Sequence, residues 1–325
     1  MKKTSLTLVF TFALLAGLAG SGRAADVSFQ TWLGHFRQEA ARQGISQGTL
    51  DAALTGAQPI QKVIDLDRKQ PEWKKTFVQY REMIVNAQRI NKGRQLLRDH
   101  WQTLSSIEKQ YGVPKQFIVA LWGIETNYGT NTGGFDIIPA LATLAWEGRR
   151  ADFFKDELIK ALKIIDQGHI SASKMKGSWA GAMGQNQFMP SSFLRYAVDY
   201  NEDGHKDIWG TRADVFASTA NYLKQNGWKD GQRWGRRVIL PPGFKESLVK
   251  NKTRKSVEDW GKMGVKDISG QPLPHETAMQ AMVVAPDGVT GEAYLVYNNY
   301  QTIMAWNRST YFATSVGLLA DALSR

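Results

Sequence analysis

The chain has 325 residues, which is enough for one large domain or two ordinary domains with a sizeable hydrophobic core. Apolar residues make up 42% of the chain and 11 residues are tryptophan, so the composition excludes a disordered protein. The net charge of +11 predicts a surface that attracts polyanions, and nucleic acid, anionic lipid and acidic cell-wall polymer all satisfy it. The absence of cysteine excludes disulfide bonds, thiol catalysis and cysteine-based zinc sites.

The N-terminus has the pattern of a secretory signal. Lys2 and Lys3 precede an apolar run over residues 6–18, and small residues stand before a cleavage point at Ala25. The apolar run is shorter than the roughly 20 residues that a membrane span needs. We therefore predict that residues 1–24 are removed on export. Because no cysteine follows for lipid attachment, we expect a soluble periplasmic protein without a transmembrane anchor, not a lipoprotein.

Helical patterns dominate the chain from residue 26 to residue 228. Two short helices are predicted between residues 26 and 58, and Pro59 and Pro71 favour an extended or irregular connection over 59–72. The pattern from 73 to 110 is helical and strongly basic, and we interpret its lysines and arginines as a solvated helix face, with a polyanion-binding face as the alternative. Further helices are predicted over residues 137–147, 152–167, 190–198 and 214–226.

One short helix, between Tyr111 and Gly129, carries an acid where an apolar residue is expected. Apolar side chains recur on one face at the helical period, and Glu125 projects from that same face. Pro114 suits the first helical position, and Gly129 suits the stop. Apolar surroundings and the negative end of the helix dipole both raise the pKa of a carboxyl group, as a general acid requires. The alternative is structural: Glu125 pairs with an arginine or turns to solvent from a frayed end.

Two later stretches depart from the helical pattern. Residues 176–189 combine three glycines with aromatic and amide residues, which suits a loop where the backbone approaches a ligand closely. The region after residue 228 predicts a strand at 238–240, a small helix over 255–262, a β-hairpin from 279–285 and 293–297, and a final helix over 311–323. The expected fold class is mostly α, with a small β element (α+β).

An acidic segment, residues 199–214, matches the first half of an EF-hand calcium loop. Gly204 supplies the sharp turn at position 6, but position 12, normally a bidentate acid, is Gly210. We predict a structural calcium ion here, and the alternative is an acidic turn between helices. The candidate ligands are Asp199, Asn201, Asp203, the backbone carbonyl of His205, and Asp214.

Other motif scans are negative. The five histidines form no HExxH pair, and no GxSxG elbow or phosphate-binding glycine loop occurs. An SxxK match over residues 171–174 has no SDN or KTG element after it, so we interpret it as a chance match. The basic, aromatic-rich composition suits single-stranded nucleic acid, but an exported protein seldom meets that partner. We therefore expect no nucleic acid among the partners and no organic cofactor.

Several separate motifs, in the same order, resemble those of the B type of lytic murein transglycosylase, the membrane-bound lytic transglycosylase B family. The resemblance covers nearly all of the mature chain. The motifs are WGIETNYG at 122–129, WEGRR at 146–150, GSWAGAMGQNQFMPSSF at 177–193, DYNEDGHKDIW at 199–209, ANYLKQNGW at 220–228 and YNNYQTIMAWNRSTYFA at 297–313.

The resemblance implies an enzyme that cleaves the β-1,4 bond between N-acetylmuramic acid and N-acetylglucosamine in peptidoglycan. It forms 1,6-anhydromuramic acid and uses no water. It implies Glu125 as the single general acid and base, and the acidic segment as the family's calcium loop, here one residue longer than expected before Asp214. The substrate-contacting residues that it implies are Ser178, Gln187, Arg149, Arg150, Tyr222 and Asn299.

The same resemblance implies a lysozyme-like helical core. We divide the chain into the signal (1–24), an N-terminal helical region (25–110), the catalytic core with the EF-hand-like loop (111–228), and a C-terminal region (229–325). The hairpin and final helix of that last region are expected to return to the core. Glycan strands of peptidoglycan are the expected partner, cell-wall synthesis proteins are candidate partners, and a monomer is expected.

Two other functions fit the sequence. A hydrolytic muramidase on a similar scaffold would need a second carboxylate, for which Asp136 and Glu147 are the nearest candidates. A wall-binding protein with an inactive site would need no acid at all.

Overall fold

The computed structural model describes residues 27–69, 75–147 and 149–325, so the predicted signal over 1–24 lies outside the described residues. The fold is mostly α with small antiparallel sheets, which confirms the predicted class. The helices are α1 (Phe29–Arg42), α2 (Gln47–Leu54), α3 (Gln61–Arg68), α4 (Phe77–Ile84), α5 (Ala87–Asp99), α6 (Trp101–Tyr111), α7 (Lys115–Thr126), α8 (Ile137–Glu147), α9 (Ala151–Asp166), α10 (Pro190–Tyr196), α11 (Arg212–Gln225), α12 (Glu246–Lys250), α13 (Val257–Lys262), α14 (Asn298–Trp306) and α15 (Thr310–Leu323).

The strands form two antiparallel sheets. The strands are β1 (Phe135–Asp136), β2 (Lys176–Gly177), β3 (Gly235–Ile239), β4 (Arg254–Ser256), β5 (Lys266–Asp267), β6 (Gln280–Val284) and β7 (Ala293–Val296). β1 pairs with β2, and the larger sheet has the order β4-β6-β7-β3-β5. The predicted hairpin is confirmed, because β6 and β7 are neighbours and Val283 lies opposite Leu295.

The described chain divides into two compact units. One comprises residues 75–86 and 226–321 and contains α4 and the five-stranded sheet. Its apolar core includes Trp260 of α13 and Leu295 of β7, which are fully buried. Gly317 of α15 is required there, because a Cβ atom at this position would meet the ring of Trp234 at 2.3 Å.

The other unit comprises residues 27–69, 87–147, 149–225 and 322–325, and α7 is its central helix. α7 packs against α5, α6 and α11, and every residue from Phe117 to Thr126 is buried. A helix that is apolar nearly all round is expected in such a position. The sequence predicts that only one face of this helix is buried, whereas all sides of it are buried from Phe117 to Thr126.

The connection over 59–72 was predicted to be extended or irregular, and this prediction is wrong for residues 61–68, which form α3. Val63, Ile64 and Asp67 are buried, at a spacing that places them on one helical face, and α3 packs against α8. Pro59 precedes the helix and does not interrupt it. Contacts with α8 therefore outweigh the local proline signal.

No helix in the described ranges is long and apolar enough to cross a bilayer.

Candidate active site around Glu125

Glu125 lies in the last turn of α7, where only 4% of its surface is exposed. The helix ends earlier than Gly129 indicated, because Asn127 caps it in the left-handed region (φ 49°). Tyr128 is left-handed as well (φ 62°), and its hydroxyl donates to the carbonyl of Arg89 in α5 at 2.7 Å. The chain can turn back over α7 because Gly123 leaves room for the Tyr128 ring, which a Cβ atom would meet at 2.6 Å.

The glycine-rich loop, residues 176–189, packs against the segment that follows α7. β1 and β2 pair Phe135 with Gly177, and Gln187 Nε2 donates to the Thr132 carbonyl at 3.0 Å. The loop itself is a tight turn structure, since Met183 is bridged both to Gly177 and to Phe188. This pairing brings Ser178 and Gln187 next to residues 132–136, a segment that follows Glu125 and the end of α7 in the chain.

Ser178 and Gln187 are both partly exposed within this loop. Ser178 Oγ accepts a hydrogen bond from the Ala182 N–H at 3.0 Å, so its own hydroxyl proton points elsewhere and can be donated to a ligand. Gln187 is held in the left-handed region (φ 51°), which is uncommon for a residue with a side chain and recurs at functional sites. The predicted contacts of both residues with substrate stay predictions.

Gln185, which the sequence reasoning did not single out, joins α7 to the glycine-rich loop. Its Oε1 accepts from Trp122 Nε1 at 2.8 Å, and its backbone carbonyl accepts from Thr126 Oγ1 at 3.0 Å. Trp122 and Thr126 flank Glu125 in the sequence, so these bonds fix the helical turn that carries the acid. The composition of residues 176–189 identified the loop as a candidate ligand-binding segment. It did not identify Gln185, because the partner of an amide side chain depends on the tertiary structure.

Tyr222 of α11 forms an aromatic wall behind the same loop. Its ring lies 4.4 Å from the Tyr196 ring and 5.8 Å from the Phe188 ring, measured between centroids. Burial raises the pKa of the Tyr222 hydroxyl, so it stays protonated at neutral pH. The structure therefore places Tyr222 as packing for Phe188, and a direct contact with sugar stays a prediction.

Arg149 and Arg150 meet an acid of the protein itself. Arg149 forms two hydrogen bonds of 2.8 Å with the carboxylate of Asp67 in α3, and Arg150 adds a third at 3.3 Å. Asp67 is 1% exposed, whereas the Arg149 side chain is 48% exposed. The pair therefore clamps α3 to the start of α9, and its predicted contact with substrate stays a prediction.

We expect Asp67→Asn to lower the free energy of unfolding by about 2–4 kcal/mol, because it removes a bidentate charged pair and leaves Arg150 half-buried without its carboxylate. Urea denaturation at neutral pH measures this. Asp65→Asn is the matched control, since Asp65 lies on the same helix but is exposed. Equal stability of the two variants would show that the clamp contributes nothing.

The acidic segment forms a compact loop whose carboxylates accept its own N–H groups. Asp199 accepts from the N–H groups of Asp203 and Gly204 at 3.2 and 2.8 Å, and Asp203 accepts from the His205 N–H at 2.8 Å. Fully buried Asp214 accepts from the Tyr200 and Asp207 N–H groups, both at 2.8 Å. Burial raises the pKa of the Asp214 carboxyl, and these two bonds offset part of that rise.

The loop suits calcium by donor type, because calcium prefers carboxylate, amide and carbonyl oxygens and Gly204 makes the required turn (φ 90°). Asn201, whose side chain bonds to that of Asp203 at 2.8 Å, contributes such an oxygen. Within residues 27–69, 75–147 and 149–325, however, no three acidic or histidine side chains converge as a preformed metal cage. Each carboxylate oxygen that accepts a loop N–H bond keeps a second lone pair, so Asp199 and Asp203 could bind calcium and retain these bonds.

Asn299 belongs to the unit formed by residues 75–86 and 226–321, where its amide stabilises a turn at residues 229–232. Its Oδ1 accepts from the Lys229 N–H at 2.7 Å, and its Nδ2 donates to the carbonyls of Lys229 and Gln232 at 2.8 and 2.6 Å. It is fully buried. Its predicted contact with substrate stays a prediction.

The two carboxylates that a hydrolytic muramidase would use both meet cations. Asp136 pairs with Lys176 across the small sheet, and Glu147 pairs with Arg68 at 2.8 Å. A catalytic role for either carboxylate stays a prediction. Glu125 differs from both in being almost fully buried, at 4% exposed, and its role as general acid stays a prediction.

Comparison with known proteins shows the family of this chain. The model of the transglycosylase SLT domain family matches residues 28–321. Membrane-bound lytic murein transglycosylase B of Escherichia coli K12 is 34% identical over 255 residues, which is 76% of this chain and 67% of that protein. The chain therefore belongs to the transglycosylase SLT domain family. It is an enzyme of the lytic transglycosylase class, which acts on peptidoglycan.

Solved structures extend the likeness to the fold. The structure of SltB3 from Pseudomonas aeruginosa in complex with NAG-anhNAM-pentapeptide has a TM-score of 0.89 and 44% identity, and the match covers 92% of this chain and 80% of that one. Lytic transglycosylase Slt35 of Escherichia coli, solved in complex with calcium, has a TM-score of 0.76 and 31% identity over 90% of this chain and 92% of its own. The predicted lysozyme-like, lytic-transglycosylase architecture is confirmed.

Proposed function

We propose that this enzyme cleaves the β-1,4 bond between N-acetylmuramic acid and N-acetylglucosamine and leaves 1,6-anhydromuramic acid ends, with Glu125 as its single acid and base. The observation that carries the proposal is the burial of Glu125 in a turn tied on both sides to the glycine-rich loop. The complex of the relative SltB3 with an anhydro-sugar peptide supports the product.

In this reaction the Glu125 carboxyl donates its proton to the glycosidic oxygen, and the bond between that oxygen and C1 of the muramic sugar breaks. The C6 hydroxyl oxygen of the same sugar then bonds to C1, and the Glu125 carboxylate takes the hydroxyl proton. One carboxylate suffices because the nucleophile is tethered to the reacting ring, whereas hydrolysis by water generally uses two. Intramolecular placement can supply about 7–11 kcal/mol of the barrier.

The neighbouring residues have supporting roles. Ser178 donates its hydroxyl proton to the N-acetyl carbonyl of the muramic sugar and so orients a group that stabilises positive charge at C1. Gln187 and Tyr222 shape the wall of the site. The half-exposed guanidinium of Arg149, with Arg150 beside it, attracts the acidic peptide-bearing glycan.

Mass analysis of the products from purified peptidoglycan tests this function. Soluble products one water lighter than muramidase products, without new reducing ends, are expected. New reducing ends would support the hydrolytic alternative. The absence of soluble product, with binding to the insoluble polymer retained, would support a wall-binding protein.

We also propose that the acidic loop binds a structural calcium ion through Asp199, Asn201, Asp203, the His205 carbonyl and Asp214. The donor types support this, as does the calcium complex of the relative Slt35. When bound, the ion neutralises the loop's carboxylates and stabilises the folded chain.

Calcium at 100 times its dissociation constant is expected to stabilise the protein by about 2.7 kcal/mol, which appears as a higher melting temperature that a chelator reverses. Asp203→Asn should lose most of this response, because it removes a charged ligand from the loop. A melting temperature that neither calcium nor chelator moves would exclude the ion. Magnesium is the control cation, since its small octahedral shell fits such a loop poorly.

We place the mature protein in the periplasm, after removal of residues 1–24, where peptidoglycan is accessible. Its positive charge favours association with the polyanionic wall. We propose that it acts as a monomer on glycan strands, with cell-wall synthesis proteins as candidate partners.

A further inference from the structure

Gln185 occupies a junction of three segments that all belong to one unit. Toward α7, its side chain accepts from Trp122 and its carbonyl accepts from Thr126. Toward the acidic loop, its Nε2 donates to the Trp209 carbonyl at 2.7 Å, and its backbone N–H donates to the Ile208 carbonyl at 2.8 Å. All four bonds join it to other segments, so Gln185 connects the acidic loop to the turn that carries Glu125.

The space around the Gln185 side chain is fitted to it. Gln185 is 8% exposed, and its Oε1 lies 2.3 Å from the place where a Cβ atom of residue 129 would stand. Residue 129 must therefore be glycine: only glycine leaves room for the amide at the end of α7, and its φ of 79° also favours glycine. A buried amide whose donor and acceptor are both satisfied has a single stable orientation, which fixes both of its partners.

Hydrogen bonds within the acidic loop fix the backbone of Trp209, whose carbonyl accepts from the Gln185 amide. Asp214 anchors the Asp207 N–H, and the Asp207 carboxylate in turn accepts from the N–H groups of Trp209 and Gly210, both at 2.9 Å. The Trp209 indole donates to the Lys176 carbonyl at 3.0 Å. Hydrogen bonds thus run continuously from Asp214 through Trp209 and Gln185 to Trp122 in α7.

We propose that Gln185 is a positioning residue that holds the last turn of α7, and with it the Glu125 carboxyl, at a fixed place relative to the acidic loop. This rests on the proposed role of Glu125 as acid and base. Gln185 does not itself touch the substrate in this proposal. Because a displacement of about 1 Å in a catalytic group can cost 10²-fold in rate, loss of the amide should lower kcat more than it changes KM.

Gln185→Met keeps the length of the side chain and removes its two side-chain hydrogen bonds, whereas its two backbone bonds remain. We expect kcat on a soluble glycan oligomer to fall by about 10- to 100-fold, with KM within about twofold of the wild-type value, at a temperature where urea titration shows the variant fully folded. A kcat within about threefold of wild type, or a loss confined to KM, would overturn the proposal.

Asn186→Leu is the matched control. Asn186 is the next residue in the loop and is 2% exposed, but its amide donates to Val215 and Thr219 of α11 and not toward α7. It should lose stability and keep kcat within about threefold of wild type. An equal fall of kcat in both variants would overturn the proposal, because any damage to the loop would then suffice.

Trp122→Phe removes the indole donor and keeps an aromatic ring at this position. If the two side chains act through one bond, the double variant with Gln185→Met should be no slower than the slower single variant. Additive losses of kcat would contradict the positioning role.

Hydrogen exchange gives a readout without turnover. In Gln185→Met, the indole N–H of Trp122, assigned by its absence in Trp122→Phe, should exchange about tenfold faster or more. An unchanged exchange rate would overturn the positioning role even in an active enzyme. A wild-type chain that cuts no glycan but shows this protection would instead contradict the proposed function of Glu125 and leave the junction supported.

Discussion

Replacement of Glu125 by glutamine is expected to lower kcat on peptidoglycan by about 10²–10⁴-fold, the range typical for loss of a general acid or base. Glutamine fills the same volume in the last turn of α7 but can neither give up nor take the proton in the two steps. Glu125→Asp should also lose most activity, because the shorter side chain leaves the carboxyl about one methylene short of the glycosidic oxygen. Release of soluble anhydro products, followed by mass, measures both.

The loss should not come from unfolding. Glutamine is nearly isosteric with glutamic acid and preserves the packing of this almost fully buried position, so the melting temperature should stay within about 4 °C of the wild-type value. Glu108→Gln on α6 is the control, because Glu108 meets Lys115 near the surface. Full activity of Glu125→Gln would show that the acid lies elsewhere.

Gly133→Ala is expected to lower the free energy of unfolding by about 2–4 kcal/mol and to lower kcat by at least about tenfold. Gly133 has φ 90°, where a side chain is strained, and a Cβ atom would meet the Gly177 carbonyl oxygen at 2.1 Å and the Ser178 nitrogen at 2.8 Å. Since these atoms are backbone, the glycine-rich loop must move away from the segment that follows α7. Urea denaturation and product release measure the two effects.

Gly134→Ala provides the control at the next position. A Cβ atom there meets nothing within 4 Å, so stability should change by no more than about 0.5 kcal/mol and activity should be retained. Similar losses in the two variants would show that the segment tolerates no side chain in general. The clash between residues 133 and 177 would then not be the cause.

The helices and the hairpin could be predicted because their signals are local. α8, predicted over 137–147, has those bounds, and the two short helices predicted between residues 26 and 58 are α1 and α2. α3 was missed because prolines on either side suggested irregular structure, and its burial against α8 is a contact between distant parts of the sequence. Likewise, no local pattern shows that residues 75–86 join the unit formed by 226–321.

The sequence by itself determined that Glu125 is an unusual acid, that a glycine-rich loop accompanies it, and that an acidic loop with EF-hand spacing follows. These are properties of residue type and spacing, whereas the family was indicated by the resemblance of several motifs in the same order. Only the tertiary structure decided which side chains meet. Arg149 and Arg150 bind buried Asp67. The Asp199 and Asp203 carboxylates accept hydrogen bonds from loop N–H groups. Gln185 joins α7 to the acidic loop. The physical reason is that a buried polar group must find a partner, and that partner is set by packing between segments far apart in the chain.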